Sequence, residues 1–252
     1  MASVEKFTAA AVVNQLRHNT RAIENSSNED IDPQRSELNY SLLPAREVSD
    51  YDYFCERKSE LYCYDRADVK VLAGWVVSAP ADFATRSPEE TRRFFETVND
   101  FMSERYGEKN IVQSIVHMDE AGQVPHCHVV FIPVVPDRKP NHPQEEKVCA
   151  AEVLSRTELR NFHPALQAYM DKHGPKDARV YTGVTAASGG NRTIKELKRD
   201  RPIDRNKDEI AVLQREVKEL REEITTLKRI VSRDHERGRW NETEKERSVG
   251  RW

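Results

Sequence analysis

Three histidines and a carboxylate fall within residues 117–128, His117-Met-Asp-Glu120-Ala-Gly-Gln-Val-Pro125-His126-Cys-His128, and this stretch constrains the fold more than any other. Ile111-Val-Gln-Ser-Ile-Val116 before it and Val129-Val-Phe-Ile132 after it are short apolar runs rich in β-branched residues, which reads as strand. Gly122 and Pro125 lie between the runs, so the two strands are predicted to pair as a hairpin. His126 and His128 are two apart and share one face of a strand, while Cys127 between them takes the other. His117 joins them from the neighbouring strand, with Glu120 close by in the loop. Three imidazoles with coordination positions left open suit a catalytic divalent metal. A closed structural zinc site would need a fourth soft ligand, and Cys127 points the wrong way to supply one.

A hairpin of this kind needs helices to cover it, and the sequence supplies them. A short strand near Val4–Phe7 leads into a helix-like stretch from Thr8 to Arg17, and Asn19 to Glu37 is polar without periodicity. Ala73–Ser78 reads as a buried strand. Ser87-Pro88-Glu89-Glu90 combines a capping serine, proline at the first helical position and glutamate three residues after the cap. Phe94, Phe95, Val98, Phe101, Met102 and Tyr106 then follow the helical period until Gly107 stops it, which makes these aromatics core rather than a base-stacking platform. A second box at Ser155-Arg-Thr-Glu158 opens a helix with Leu159, Phe162, Leu166 and Tyr169 along one side, ending near Gly174. The predicted class is α+β, an antiparallel sheet flanked by helices, over residues 1–178.

Residues 179–202 read as a basic linker, and Arg192, Lys195, Lys198, Arg199, Arg201 and Arg205 cluster in it and just beyond, either a phosphate-contacting strip or a solvated connection. After it, Ile203, Ile210, Val217, Ile224 and Val231 recur every seven residues, with Leu213, Leu220 and Leu227 at the complementary position. β-Branched residues at the first position and leucine at the second favour a parallel two-stranded coiled coil, so 203–233 is predicted to form a homodimer. Glu216 faces Arg221 and Glu223 faces Lys228 of such a partner. Residues 234–252 form a charged, disordered tail. The net charge of −3 gives no global sign of nucleic acid and says nothing about a local groove. Pro133 breaks the longest apolar run, so no membrane span is expected. The four cysteines match no zinc ribbon or disulfide framework, and with no signal-type N-terminus the expected compartment is the cytoplasm.

Four stretches carry a family resemblance: His18-Asn19-Thr20-Arg21, Asn28-Glu-Asp30-Ile-Asp-Pro33-Gln-Arg35-Ser36, Leu38-Asn39-Tyr40-Ser41-Leu42, and the histidine hairpin. In this order, with Trp75 and Phe94-Phe95-Glu96 between them, they resemble the plasmid mobilisation relaxases of the Pre/Mob (MobV) type. The resemblance covers about the first 175 residues. The loop from Asp119 to Pro125 is longer than is usual in that group, and Ser41 stands where an acidic residue is common. The resemblance implies a His-hydrophobe-His endonuclease that recognises an origin of transfer, often with an inverted repeat, and works with conjugation coupling machinery. It would nick one strand by transesterification and stay linked to the 5′ phosphate.

Under that resemblance His117, His126 and His128 would hold a divalent metal, Mn2+ or Mg2+. The histidine of the family's His-Asn-x-Arg motif is the position tied to attack, so the resemblance makes His18 the nucleophile, with Tyr40 as the alternative. A tyrosine must lose a proton of pKa about 10, whereas an imidazole of about 6.5 is already mostly neutral at pH 7. Glu120 would orient or deprotonate His18 or support a metal histidine, with Asp119 the weaker candidate. Arg21 and Arg35 suit bidentate phosphate contacts, and Asn39, Lys198 and Arg199 are further DNA-binding candidates. The competing readings are another metal-dependent nuclease, a replication initiator using Tyr169, and a non-enzymatic DNA-binding dimer.

Overall fold

Strand alternation builds the centre of the molecule. Ile111–His117 (β4) and His126–Phe131 (β5) pair antiparallel, with His117 opposite His126 and Ile115 opposite His128. The computed structural model describes residues 2–23, 30–120 and 124–180, together with Val217, Leu220 and Ile224. The remaining described strands are Ala2–Thr8 (β1), Tyr40–Ser41 (β2), Lys70–Ser78 (β3), Val134–Pro136 (β6) and Glu146–Val148 (β7). Five of them form one antiparallel sheet in the order β1-β3-β5-β4-β2, and β6 pairs with β7. Helices are Ala9–Asn19 (α1), Asp50–Ser59 (α2), Pro88–Tyr106 (α3), Ala150–Val153 (α4) and Arg156–His173 (α5).

Both faces of the sheet are covered, and β5 shows how. Cys127, Val129 and Phe131 join one core with Phe94, Phe95 and Phe101 of α3 and Phe162 and Leu166 of α5. Val130 and the following Ile132 join a second core with Val12 and Leu16 of α1 and Phe54 of α2. Successive residues therefore bury against different layers, as a period of two requires. The indole of Trp75 stacks on Phe162 at 3.5 Å between centroids, and its N–H donates to the Tyr106 hydroxyl at 3.0 Å.

The serine caps form as expected, while the Glu158 carboxylate pairs with α3 instead of returning to its own cap. Ser87 Oγ accepts from Glu90 N at 3.2 Å and Ser155 Oγ from Glu158 N at 3.2 Å, each worth about 1 kcal/mol. Gly107 ends α3 with φ 87. One reading of α5 is corrected. Leu159 is 39 % exposed, and the buried stripe is Phe162, Leu166 and Met170, spaced by four. In that first turn it is Glu158 that contacts α3, held by Arg105 and Tyr106. The polar stretch after α1 also has structure, a 3-10 turn at Pro33–Leu38 whose first amides are capped by Asp32.

By its internal contacts the chain divides into two units, Met1–Gly183 and Val184–Trp252. The core of the first unit includes Ala178 and Val180. Lys198, Arg199, most of the heptad segment and the tail lie outside the described residues. Val217, Leu220 and Ile224 are helical and exposed.

Candidate metal centre

The site grows from the open end of the β4–β5 hairpin. His117 and His126 are direct cross-strand neighbours, and His128 sits two residues further along β5 on the same face. One nitrogen from each imidazole lies within 4.8 Å of the others, which makes these three a possible metal-holding group among the described residues. Ring centroids are 5.3 Å apart for His117 and His126, 4.5 Å for His117 and His128, and 5.1 Å for His126 and His128.

Hydrogen bonding decides which nitrogens are available. His117 Nε2 donates to the Asn19 carbonyl at 2.7 Å, which fixes the tautomer and leaves Nδ1 as a bare lone pair. That Nδ1 is buried and has no hydrogen-bond partner. A buried, unpaired imidazole nitrogen among two other imidazoles is what a metal ligand looks like without its ion, because leaving it unsatisfied otherwise costs about 1–3 kcal/mol. His126 Nδ1 leans toward the Val124 carbonyl at 3.4 Å, and its Nε2 lies 3.7 Å from Glu120. The donor set fits a divalent cation.

Burial keeps all three imidazoles neutral, as ligation requires. It pushes the His117 pKa down to about 3 and holds His128 well below the ordinary value, helped by the neighbouring rings. His126 is lowered chiefly by burial, against the opposing pull of Glu120.

The face of the sheet separates the two nucleophile candidates. His18 lies in the last turn of α1, which covers the histidine side, and its ring is 6.1 Å from that of His128. The helix end is pinned there by Asn19, whose side chain donates to Gln113 Oε1 at 3.0 Å and whose carbonyl holds His117. Tyr40 pairs with Val116, so its side chain lies with Val116 and Cys127 on the opposite face. There it packs against the α3 core with Arg92 over its ring at 5.0 Å, and burial raises its pKa to about 12. His18 moves the other way: burial, and then the Arg21 cation, lower its pKa and favour the neutral ring.

An acidic hub that sequence reasoning did not find stands behind these groups. Asp119, the weaker candidate for acting on His18, is fully buried. Its carboxylate accepts from Arg21 Nε at 2.9 Å and Nη2 at 2.7 Å, Ser36 Oγ at 2.9 Å and Asn39 Nδ2 at 2.8 Å. Those bonds hold its pKa well below the usual carboxylate range despite burial. Asp119 lies beyond the end of β4 at His117, so strand alternation does not set where it points. The detectable signal was the set of donors, Arg21, Ser36 and Asn39, clustered in one earlier stretch. Asn39 is used at both ends, since its Oδ1 also accepts from Met118 N at 2.7 Å, so its carboxamide anchors the loop.

Arg21 caps α1 in a left-handed conformation, φ 57, with Arg21 N bonded to the His18 carbonyl and Ala22 N to that of Arg17. This is a Schellman ending with arginine where glycine is usual, at a cost of roughly 1–2 kcal/mol. Its Nη2 also meets Glu120 at 3.0 Å, while Nη1 is buried without a hydrogen-bond partner. Arg35 is exposed on the 3-10 turn. Tyr169 donates to Glu104 at 2.6 Å, and that bond raises its pKa to about 12.

Comparison with known proteins agrees with this architecture. The family model for plasmid recombination enzymes, Mob_Pre, matches residues 1–198. A plasmid recombination enzyme of Streptococcus agalactiae is 32% identical over 205 residues, 79% of this chain and 38% of that protein. One from Bacillus thuringiensis is 34% identical over 173 residues, 68% of this chain and 37% of its own length. The chain thus spans less than half the length of these relatives. The Mn-bound MobM relaxase domain in complex with plasmid pMV158 oriT DNA at pH 6.8 superposes with a TM-score of 0.64 at 30% identity, covering 79% of this chain and 97% of that one. The same domain bound to Mn and oriT DNA at pH 4.6 gives 0.62 at 30% identity, over 79% and 98%. No helix among the described residues is long and apolar enough to cross a membrane. With the Mob_Pre model spanning most of it and its fold matching a MOBV relaxase domain, the chain belongs to the Mob_Pre family of plasmid recombination enzymes.

Proposed function

We propose that this chain is a DNA relaxase that nicks one strand at an origin of transfer and becomes linked to the 5′ phosphate through His18. The observation that carries the reading is the shared face: His18 is one ring away from the histidine cluster, while Tyr40 lies across the sheet. His117, His126 and His128 would hold the cation, Mn2+ or Mg2+, which supplies charge stabilisation at the phosphodiester when bound. That a related domain carries Mn at pH 4.6 is consistent with imidazoles kept neutral by burial.

The protein's own groups then divide the work. The neutral His18 ring attacks phosphorus, a P–N bond forms, and the P–O3′ bond breaks. The N–H proton released by the ring balances the proton taken up by the leaving 3′ oxygen. Glu120, whose charge favours a protonated His18, offsets the positive charge that develops on the ring. Arg21, locked in orientation by Asp119, directs its unpartnered Nη1 to a phosphate oxygen. The phosphoramidate keeps the energy of the broken bond, so rejoining needs no nucleotide cofactor.

Arg35, Lys198 and Arg199 contribute further DNA contacts, the 203–233 segment pairs two copies, and the complex acts in the cytoplasm with coupling machinery. The test is direct. The chain is incubated with Mn2+ and an end-labelled single strand spanning the inverted repeats upstream of its own gene. A protein–DNA adduct that survives denaturing electrophoresis supports the proposal. Cleavage with no adduct points to an ordinary metal phosphodiesterase, and binding without cleavage to a non-enzymatic DNA-binding protein.

A further inference from the structure

We infer that the cavity flanking His18 is a subsite for one unpaired nucleobase beside the cleaved phosphodiester, selective for a base that carries an exocyclic amine over thymine. The inference rests on the relaxase reading. The cavity measures about 620 Å3, within the roughly 300–1,000 Å3 of small-ligand sites. Arg17 and Thr20 line it, and they bracket His18 on α1. Ile115 lines it from β4 and is the cross-strand partner of His128. The cavity therefore begins one residue pair, about 5 Å, from the histidine cluster.

Its polar equipment is lopsided. Asp50 opens into it with a side chain 36 % exposed. One carboxylate oxygen accepts from Gln113 Nε2 at 2.7 Å and the other is 3.5 Å from Arg46 Nη1, which leaves lone pairs on both. Arg46 is not available to a ligand, because its guanidinium is tied to the Val112 and Ile111 carbonyls at 2.6 and 2.8 Å. An aimed carboxylate selects hydrogen-bond donors. Guanine offers N1–H and N2–H side by side, and cytosine and adenine each offer an exocyclic amine, whereas thymine sets two carbonyls around a single N–H. Tyr51, 44 % exposed and stacked on Phe54 at 6.3 Å, supplies an aromatic wall for a base. Arg17 is exposed and makes no ion pair among the described residues, which suits the phosphate that follows.

The test uses the full chain with Mn2+ and fluorescein-labelled dT12, alone or carrying one central dG, dC or dA, read by anisotropy. A single dG, dC or dA is expected to tighten binding about fivefold or more over dT12. Asp50→Ala should bring the dG probe to the dT12 affinity. Asp50→Asn, which can still accept from Gln113, should lose the dG preference with its thermal melt preserved, so misfolding cannot explain the result. Equal affinity for all four probes, a preference that survives Asp50→Ala, or no binding of any probe overturns the subsite. An Asp50-dependent preference in a chain that forms no adduct on origin DNA counts against the nicking chemistry alone.

Discussion

Removing the Asp119 carboxylate should unsettle the site more than removing any histidine of the cluster. The side chain is 0 % exposed and accepts four hydrogen bonds, two of them from the Arg21 guanidinium. Bonds of this charge-assisted kind contribute about 1.5–3 kcal/mol each, though not additively. Asp119→Ala also leaves Arg21, 11 % exposed, facing only Glu120. Breaking one partner of a buried pair costs roughly 3–5 kcal/mol, against a total stability on the order of 5–15 kcal/mol. Urea denaturation followed by circular dichroism should therefore place Asp119→Ala about 3–5 kcal/mol below the parent, with Asp119→Asn in between. A loss under about 1 kcal/mol would refute the claim that the carboxylate organises the site.

Adding Mn2+ at a hundred times its dissociation constant should stabilise the chain by about 2.7 kcal/mol, a rise of roughly 5–10 °C in Tm, and His128→Ala should abolish that rise in a thermal melt. Without metal, stability should fall as pH drops below 6.5 toward the depressed values of the buried imidazoles, by up to about 1.4 kcal/mol per pH unit for each one. Asp119, depressed instead, keeps its contribution at pH 5 and loses it only below its ordinary 3.8. Urea midpoints that stay level between pH 7 and 5 would contradict this. Gly107→Ala should cost about 1–2 kcal/mol in the same assay, because φ is +87 and the added Cβ would meet Asn110 Nδ2 at 2.8 Å.

Much of this was legible in the chain because the governing patterns are local. The hairpin, the two serine caps and the α3 core follow from periods of two and 3.6 and from residues that satisfy the first helical amides. Leu159 shares a helix face with Phe162 and Leu166, and periodicity cannot say that burial stops short of the first turn. The Asp119 hub was not visible because its donors Arg21, Ser36 and Asn39 lie 80 or more positions away in the chain. The opposite placement of Tyr40 depends on a two-residue pairing with β4, across more than 70 positions of sequence, which no local pattern announces. The helix α2 and the cavity beneath it went unremarked for a related reason. Asp50, Gln113 and Arg17 meet only once the sheet has formed.

The claim at the centre is that His18 is the group that carries the DNA. Adduct formed with Mn2+ and origin DNA should be digested under mildly basic conditions, which preserve an acid-labile phosphoramidate, and the modified peptide mapped by mass spectrometry. The nucleotide is expected on the peptide containing His18, with adduct lost in His18→Ala and retained in Tyr40→Phe. A nucleotide on Tyr40, or adduct that persists in His18→Ala, contradicts the account.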